Sequence, residues 1–268
     1  MEGLRVEFVF YFLICIIATT VGAISGVGGG VIIKPVFDAA AGMPVATISF
    51  LSGCTVLSMT IVSLLRSWRG GEKVELRRGT LLAIGGAVGG LLGKAAFEWV
   101  KSLTANDGLV GVVQSVLMVL LTGGVAVYMG LRAKIKTHNV QNDLLCALIG
   151  LLLGLLSAFL GIGGGPINLV VLYYFFSMDT KTAALNSLYI ILFSQAASFL
   201  SSLVGNNVPD FQPLALVVMV IGGVAGGFLG RSFSKRMSSN QVDVLFMGLL
   251  LVITGISVYN LVNYAMLL

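Results

Sequence analysis

Charged residues are scarce in this chain, and their scarcity excludes an ordinary water-soluble fold. Only 10% of its 268 residues are Asp, Glu, Lys or Arg, while 57% are hydrophobic, and the mean hydropathy is +1.02. Soluble domains carry roughly a quarter charged residues. So much apolar sequence is typical of a protein whose surface faces lipid.

Cysteine and histidine are also few, and the sequence motifs of common enzymes are missing. The three cysteines stand singly in apolar runs, without a CxxC spacing: Cys15, Cys54 and Cys146. They are interpreted as small hydrophobic residues, and the single His138 as a solvated loop residue. No GxxxxGK[ST] motif occurs, no histidine or pair of aspartates lies in an apolar run, and Gly26–Val31 lacks the last glycine of a dinucleotide fingerprint. These absences argue against an enzyme, a cofactor, direct ATP use and nucleic-acid binding.

Long apolar runs follow one another along the whole chain. There are eight of them, at residues 6–33, 44–65, 79–99, 109–131, 144–176, 182–205, 213–230 and 242–265. About 20 apolar residues suffice to cross a bilayer as a helix. Short connections leave no room for a soluble domain. The sequence therefore predicts an all-α polytopic membrane protein with a single integral membrane domain.

The chain contains an internal repeat. Its first glycine motif, Gly26–Gly30, recurs 135 positions later as Gly161–Gly165. A second motif of glycine doublets, ending in Lys94 in the first copy and in Arg231 in the second, recurs after 137 positions. Two transmembrane repeats are therefore predicted, residues 1–133 and 144–268, each with four apolar segments of which the first is interrupted at a GxGGG motif.

The distribution of Lys and Arg predicts how these segments are threaded. If every run crossed once, the two sides would carry 9 and 7 basic residues, which is no bias. Runs one and five could instead enter the membrane, break at the glycines and return to the side from which they came. The cytoplasmic side then carries 12 basic residues and the outside carries 4. The second repeat is then inverted relative to the first, as in many secondary transporters. Each interrupted run should form two part-length helices that meet within the membrane.

A helix that restarts after a glycine break offers free N–H groups and the positive end of its dipole, which favours an anion. The alternative is that these glycines only permit close helix packing. Polar residues at membrane depth add candidates; Ser49 and Gln195 are among these polar residues but are not part of the predicted site. The predicted substrate-binding residues are Ser25, Gly26, Gly28, Gly29, Gly30, Lys34, Thr47, Ser52, Gly161, Gly163, Gly164, Gly165, Asn168, Thr182, Asn186 and Ser187.

Other features are assigned structural roles. The glycine doublets present small-xxx-small faces and predict close helix crossings. Lys94 and Arg231, which follow them, are interpreted as anchors that extend to the membrane surface. Lys34 is either an i,i+4 surface partner of Asp38 or a residue that attracts anions.

The chain resembles the sulfite exporter TauE/SafE family, also called the 4-toluene sulfonate uptake permease family. The resemblance covers essentially the whole length and rests on Ser25–Gly30, on Leu160–Gly165, on the segments around Thr47 and Thr182, and on the GGxxGGxxG helices. It implies a prokaryotic plasma-membrane transporter of small sulfur-containing anions such as sulfite, sulfonates or related carboxylates.

The sequence thus predicts a secondary transporter that moves a small anion by alternating access. An anion channel of the same architecture and a membrane subunit that transports nothing are the alternatives. The expected partners are the anionic substrate and the lipid bilayer. The sequence leaves open whether a proton or a sodium ion is coupled to transport and whether the protein forms a homo-oligomer. The halves are not identical, because Lys34 corresponds to Leu169 and Val31 to Pro166.

Overall fold

The computed structural model describes residues 2–72, 74–103 and 107–266. Lys73 and the side chain of Arg5, which entered the count of basic residues, lie outside the described part. Within these ranges the fold consists of ten α-helices and one 3₁₀ turn (Arg132–Lys134), without a strand. The helices are α1 (Glu2–Ser25), α2 (Gly30–Ala40), α3 (Val45–Arg69), α4 (Leu76–Leu103), α5 (Asp107–Leu131), α6 (Asp143–Leu160), α7 (Pro166–Phe176), α8 (Thr180–Val204), α9 (Pro213–Arg236) and α10 (Ser239–Met266).

The all-helical prediction is confirmed for the described residues. Eight helices there are long and apolar enough to cross a membrane, namely every helix except α2 and α7. Large apolar side chains stand on the outer surface, for example Leu120 and Val127 of α5, which are 66% and 63% exposed. Such a surface is stable when lipid rather than water covers it.

Each interrupted run divides unequally at its glycines. The first glycine segment (Gly26–Gly30) lies between the 24 residues of α1 and the 11 of α2. The second glycine segment (Gly161–Gly165) lies between the 18 residues of α6 and the 11 of α7. We expected two part-length helices in each run, which is wrong for α1 and α6, since both are long enough to be candidate spans. Only α2 and α7 are short.

Both short helices run back along the helix that precedes them. In the first pair, the ring of Phe37 on α2 packs edge-on against the ring of Tyr11 on α1, 5.1 Å away. In the second pair, the backbone N–H groups of His138 and Val140, just before α6, donate to carbonyl oxygens of residues 174 and 175 at the end of α7. Each pair therefore forms a hairpin that returns to the level at which it began.

The glycine doublets are buried between helices, as the small-xxx-small pattern predicts. On α4, a Cβ at Gly85 or Gly89 would collide with the backbone of α6, and one at Gly90 with the backbone of α8. On α9, Gly226 contacts α1 and Gly227 contacts α3 in the same manner. Adjacent glycines in a doublet thus face different helices. Helix α4 packs closely against two helices of the second half of the chain, and α9 against two helices of the first half.

The direction of the helices follows from these contacts. Successive glycines of α4 meet successive turns of α6 and α8, so the three helices run parallel; α9 runs parallel to α1 and α3 for the same reason. At the centre, α3 and α8 cross antiparallel, since the ring of Phe50 stacks at 6.1 Å on that of Phe199 while Gly53 lies beside Gln195. Helices α5 and α10 are also antiparallel, joined by a 2.8 Å hydrogen bond between the hydroxyls of Thr254 and Thr122.

This packing gives the bundle two ends of different charge. The basic end carries the connections at 70–75, 132–142, 177–179 and 237–238, and the far end carries those at 41–44 and 205–212. Of the Lys and Arg side chains that the structure describes, eleven belong to the basic end and three (Lys34, Lys94 and Lys101) to the far half. Such an imbalance is typical of cytoplasmic and external faces.

Candidate functional site

The two glycine segments touch each other in the interior of the bundle, and we call the place where they meet the glycine junction. A Cβ at Gly28 would lie 3.3 Å from the carbonyl oxygen of Gly163, and one at Gly164 would lie 3.2 Å from that of Val27. At Gly30 a Cβ would overlap the carbonyl of Ile162. The chain therefore brings together two stretches that are 135 positions apart in the sequence.

Backbone geometry requires glycine at this junction. Gly28 has φ +83° and Gly164 has φ +128°, values that residues with a side chain rarely adopt. A side chain at Gly164 would also run into Ile191 of α8. At both positions, an unusual dihedral angle is combined with a close contact to another part of the chain. Glycines that served only close helix packing would not need such a dihedral angle.

Several backbone N–H groups at the starts of α2 and α7 have no hydrogen-bond acceptor among the described residues. Neither helix has a side-chain cap. In the first segment the N–H groups of Ile32 and Ile33 turn back to the Gly29 carbonyl, and in the second that of Asn168 turns back to the Gly165 carbonyl. The described residues supply no acceptor for the backbone N–H of Gly29, Gly30, Val31, Gly163, Gly164 or Gly165. Two positive helix ends are therefore directed at one buried region.

Hydroxyl groups from α3 and α8 surround the junction. Ser187 donates a 2.6 Å hydrogen bond to the carbonyl oxygen of Gly26. Ser52 is fully buried, its Oγ lacks a partner among the described residues, and it lies 2.9 Å from where a Cβ of Gly30 would be. Ser25, by contrast, bonds back to the Val21 carbonyl in its own helix. The structure thus places Ser52 and Ser187 at the junction, and Ser52 has a donor to spare.

The two predicted asparagines are buried but differ in their surroundings. Asn186 donates from Nδ2 to the carbonyl of Thr182, and its Oδ1 lies beside Gly79 of α4, so it faces α4 rather than the junction. Asn168 lies one turn into α7 and is 1% exposed. The Oδ1 atoms of both have no partner in the described part of the chain.

Two of the predicted residues, Thr47 and Thr182, lie at the ends of the bundle instead of at the junction. Thr47 donates to the Asp210 carbonyl at the far end, over 2.9 Å. Thr182 donates to the carboxylate of Asp179 at the basic end, over 2.6 Å. Burial alone would raise the pKa of Asp179, but the hydrogen bonds from Thr182 and from the Lys181 amide lower it overall.

Lys34 also lies away from the junction. It forms the predicted i,i+4 ion pair with Asp38, at 2.9 Å, but the side chains are only 2% and 7% exposed, so the surface location is wrong. The pair lies on α2 beside α10, whose Asn260 donates to the Pro35 carbonyl. Burial favours pairing because an isolated charge in this environment would be costly.

A cavity that we call the far cleft leads from the far half of the bundle to the second glycine segment. It is lined by Ser49, Phe50, Gly53, Cys54, Lys94, Phe97, Ala158, Gly161, Gln195, Ser198, Phe199 and Ser202. Sequence reasoning did not assign Ser49, Gln195 or Lys94 to the site. For Lys94 a signal existed, because a basic residue follows the glycine doublets in both repeats.

Lys94 and Arg231 are not surface anchors, which corrects the prediction from sequence. The Lys94 side chain is 11% exposed and bonds at 2.8 Å to Glu98, which is 27% exposed. That of Arg231 is 4% exposed and pairs with Glu72 from the α3–α4 connection. Both turn inward because a carboxylate partner and a polar cavity are available there.

Comparisons with known proteins agree with this architecture. The family model described as sulfite exporter TauE/SafE matches residues 11–257. A probable membrane transporter protein of Bacillus subtilis, YunE, is 24% identical over 276 aligned positions, which cover 93% of this chain and 96% of that protein. No solved structure matches. With a family match over most of its length and eight candidate spans, the chain belongs to the sulfite exporter TauE/SafE family and is a multi-pass transporter of the prokaryotic plasma membrane, not an enzyme.

Proposed function

We propose that this protein is a secondary transporter that moves small sulfur-containing or organic anions, such as sulfite or a sulfonate, by alternating access. The anion binds at the glycine junction. The observation that carries the proposal is the meeting of two uncapped helix starts, with free backbone N–H groups, at one buried place. Backbone amides at a helix N-terminus bind oxyanions well, and a low dielectric strengthens the attraction.

The proposal includes an inverted duplication of residues 1–133 and 144–268, each broken within the membrane at its glycine segment. Its support is the paired set of contacts: α4 packs on α6 and α8, and α9 packs on α1 and α3. The antiparallel crossing of the corresponding helices α3 and α8 gives further support. In transporters of this plan the substrate site lies between the repeats, and one repeat moves against the other.

A carrier explains the contacts better than the alternative, an anion channel. The two glycine segments pack so closely that a Cβ at Gly28 would lie 3.3 Å from the carbonyl oxygen of Gly163, and this contact blocks continuous passage through the junction. A carrier passes through such closed states in each cycle. Counterflow of labelled sulfite into proteoliposomes preloaded with unlabelled sulfite is expected for a carrier, while flux that never saturates would favour the channel.

The test of the site uses two pairs of matched glycine variants. Gly29→Leu and Gly164→Leu place a side chain against Thr19 and Ile191 at the junction, and should abolish saturable sulfite uptake. The controls are Gly124→Leu and Gly255→Leu, equivalent positions of the two repeats that have open space within 4 Å. All four should enter the membrane and purify as folded protein. Full uptake by both junction variants would refute the site.

Substrate class is tested by ligand-dependent stability. A ligand that binds only the folded state raises the unfolding temperature, and the increase grows with the ligand concentration relative to its Kd. Sulfite, thiosulfate, methanesulfonate, sulfate and acetate should be compared at equal ionic strength. We expect the sulfur oxyanions to stabilise the wild type and not Gly164→Leu. A purified chain that no anion stabilises, and that transports none, would instead favour the role of a non-transporting subunit.

A further inference from the structure

We propose that the far cleft is an outer subsite for the transported oxyanion, with Lys94 as its cation, and that Arg231 has the same task at the basic end. The proposal rests on the proposed function and adds where the anion binds before it reaches the junction. It concerns small anions that carry several acceptor oxygens. Such an anion can accept from a lysine ammonium and from neutral donors at once.

The far cleft, with a volume of about 30 Å³ in this conformation, reaches inward from the far half of the bundle to the second glycine segment. Its inner limit is Gly161, the first residue of the second glycine segment. Beside Gly161 lies the hydroxyl of Ser49, a buried oxygen with no partner among the described residues. Gln195 contributes an amide whose Nε2 lies a long 3.5 Å from the Ser157 hydroxyl. An anion in the cleft would thus find two polar groups whose hydrogen-bonding capacity is not fully used.

Lys94 is the charged side chain that lines this cleft. Its partner Glu98 does not line the cavity and is the more exposed of the two, so the ammonium lies between a carboxylate outside and the cavity inside. An ammonium has three donors, of which Glu98 uses one. The remaining donors are available for an anion, in surroundings where a charge attracts more strongly than in water.

The basic end carries the equivalent cation, but its cavity does not reach a glycine segment. Arg231 occupies the position of Lys94 in the second repeat and lines a cavity together with Glu72, its ion partner. The residue that corresponds to Ser49 is Ala184, which packs directly against Gly26. The cavity at Arg231 therefore stops short of the first glycine segment. The two ends thus carry cations at equivalent positions, and in this conformation the far cleft reaches a glycine segment while the cavity at Arg231 does not.

A purely structural ion pair is the competing explanation, and kinetic constants separate the two. Sulfite uptake by proteoliposomes of defined orientation should be measured for Lys94→Gln, Lys94→Arg and Glu98→Gln. Lys101→Gln, on the same helix but outside the cleft, is the control. Loss of a charged hydrogen bond to the anion should raise the KM of Lys94→Gln about tenfold or more, with a much smaller change in kcat. Lys94→Arg should keep a KM near the wild-type value, and Glu98→Gln should lower it by freeing the ammonium.

The effect should depend on the side from which sulfite is added. Lys94→Gln should raise KM for uptake from the far end, and Arg231→Gln for uptake from the basic end. Equal losses of thermal stability in Lys94→Gln and Glu98→Gln, with KM within twofold of the wild type, would establish a structural pair and overturn the inference alone. Absence of saturable flux of sulfite, thiosulfate and methanesulfonate in the wild type would instead overturn the proposed function, and this inference with it.

Discussion

Replacing Gly89 by alanine should destabilise the bundle, because this glycine allows α4 to pack against the backbone of α6. A Cβ at Gly89 would overlap the carbonyl oxygen of Leu151 and lie 2.8 Å from the backbone nitrogen of Leu155. Both atoms belong to the backbone of α6 and cannot rotate away as a side chain could. The two helices would therefore have to separate to make room for the added Cβ. Overpacking of this kind costs about 1–3 kcal/mol. Alanine is favoured over glycine within a helix by about 1 kcal/mol, which offsets part of that cost.

The matched control is Gly248→Ala on α10, where nothing lies within 4 Å of the added Cβ. Only the propensity gain applies there, so the two variants should differ in free energy of unfolding by about 1–3 kcal/mol, with Gly89→Ala the less stable. Equilibrium unfolding in one detergent, followed by circular dichroism, measures the difference. If Gly89→Ala unfolds at the same denaturant concentration as Gly248→Ala, the close approach of α4 and α6 is incorrect.

Three further outcomes are expected. Ser187→Ala should cost about 1–2 kcal/mol of unfolding free energy, because the carbonyl of Gly26 loses its buried donor; a stability equal to the wild type would show that this bond contributes nothing. Asp179→Ala removes the N-cap of α8 and should cost about 1 kcal/mol at neutral pH. Since folding lowers the pKa of this carboxyl, the contribution of its charge is present above the unfolded value of about 3.9 and is lost as the pH falls through the folded value. The stability difference between wild type and variant should therefore narrow in acid, and a difference that does not change with pH would contradict this role. In a cysteine-free background, Ala133→Cys and Asn207→Cys should react with a membrane-impermeant thiol reagent from opposite sides of the membrane. Reaction of both from the same side would refute the proposed threading.

The helices could be predicted from sequence because membrane spanning depends on local properties. Apolar length alone located eight runs, each of which contains one of the candidate spans found among the described residues, since a lipid-exposed stretch must be long, apolar and internally hydrogen-bonded. The unequal division of the interrupted runs was not predicted. Hydropathy continues smoothly from α1 into α2 and from α6 into α7, so the pattern could not show that the first helix of each pair is nearly complete.

The candidate site was only partly within reach of sequence reasoning. Consecutive glycines in an apolar run are unusual enough to identify both glycine segments. Side-chain direction was harder to predict. Thr47 and Thr182 lie near the starts of α3 and α8, where their hydroxyls donate to Asp210 and Asp179 at the two ends of the bundle. Ser52 and Ser187, one turn or more further along, reach the junction. Lys94 was assigned to the membrane surface, because a lysine near a helix end usually extends to water.

By itself, the sequence determined the membrane location, the helical class, the eight apolar runs and the two glycine segments, since each follows from composition or from spacing within a short stretch. Only the tertiary structure decided that the glycine segments touch, that Ser187 holds Gly26, and that Lys94 turns into a cleft ending at Gly161. These contacts join residues from opposite halves of the chain or on different helices. They depend on how whole helices pack, and hydrophobic periodicity carries no information about which distant faces will meet.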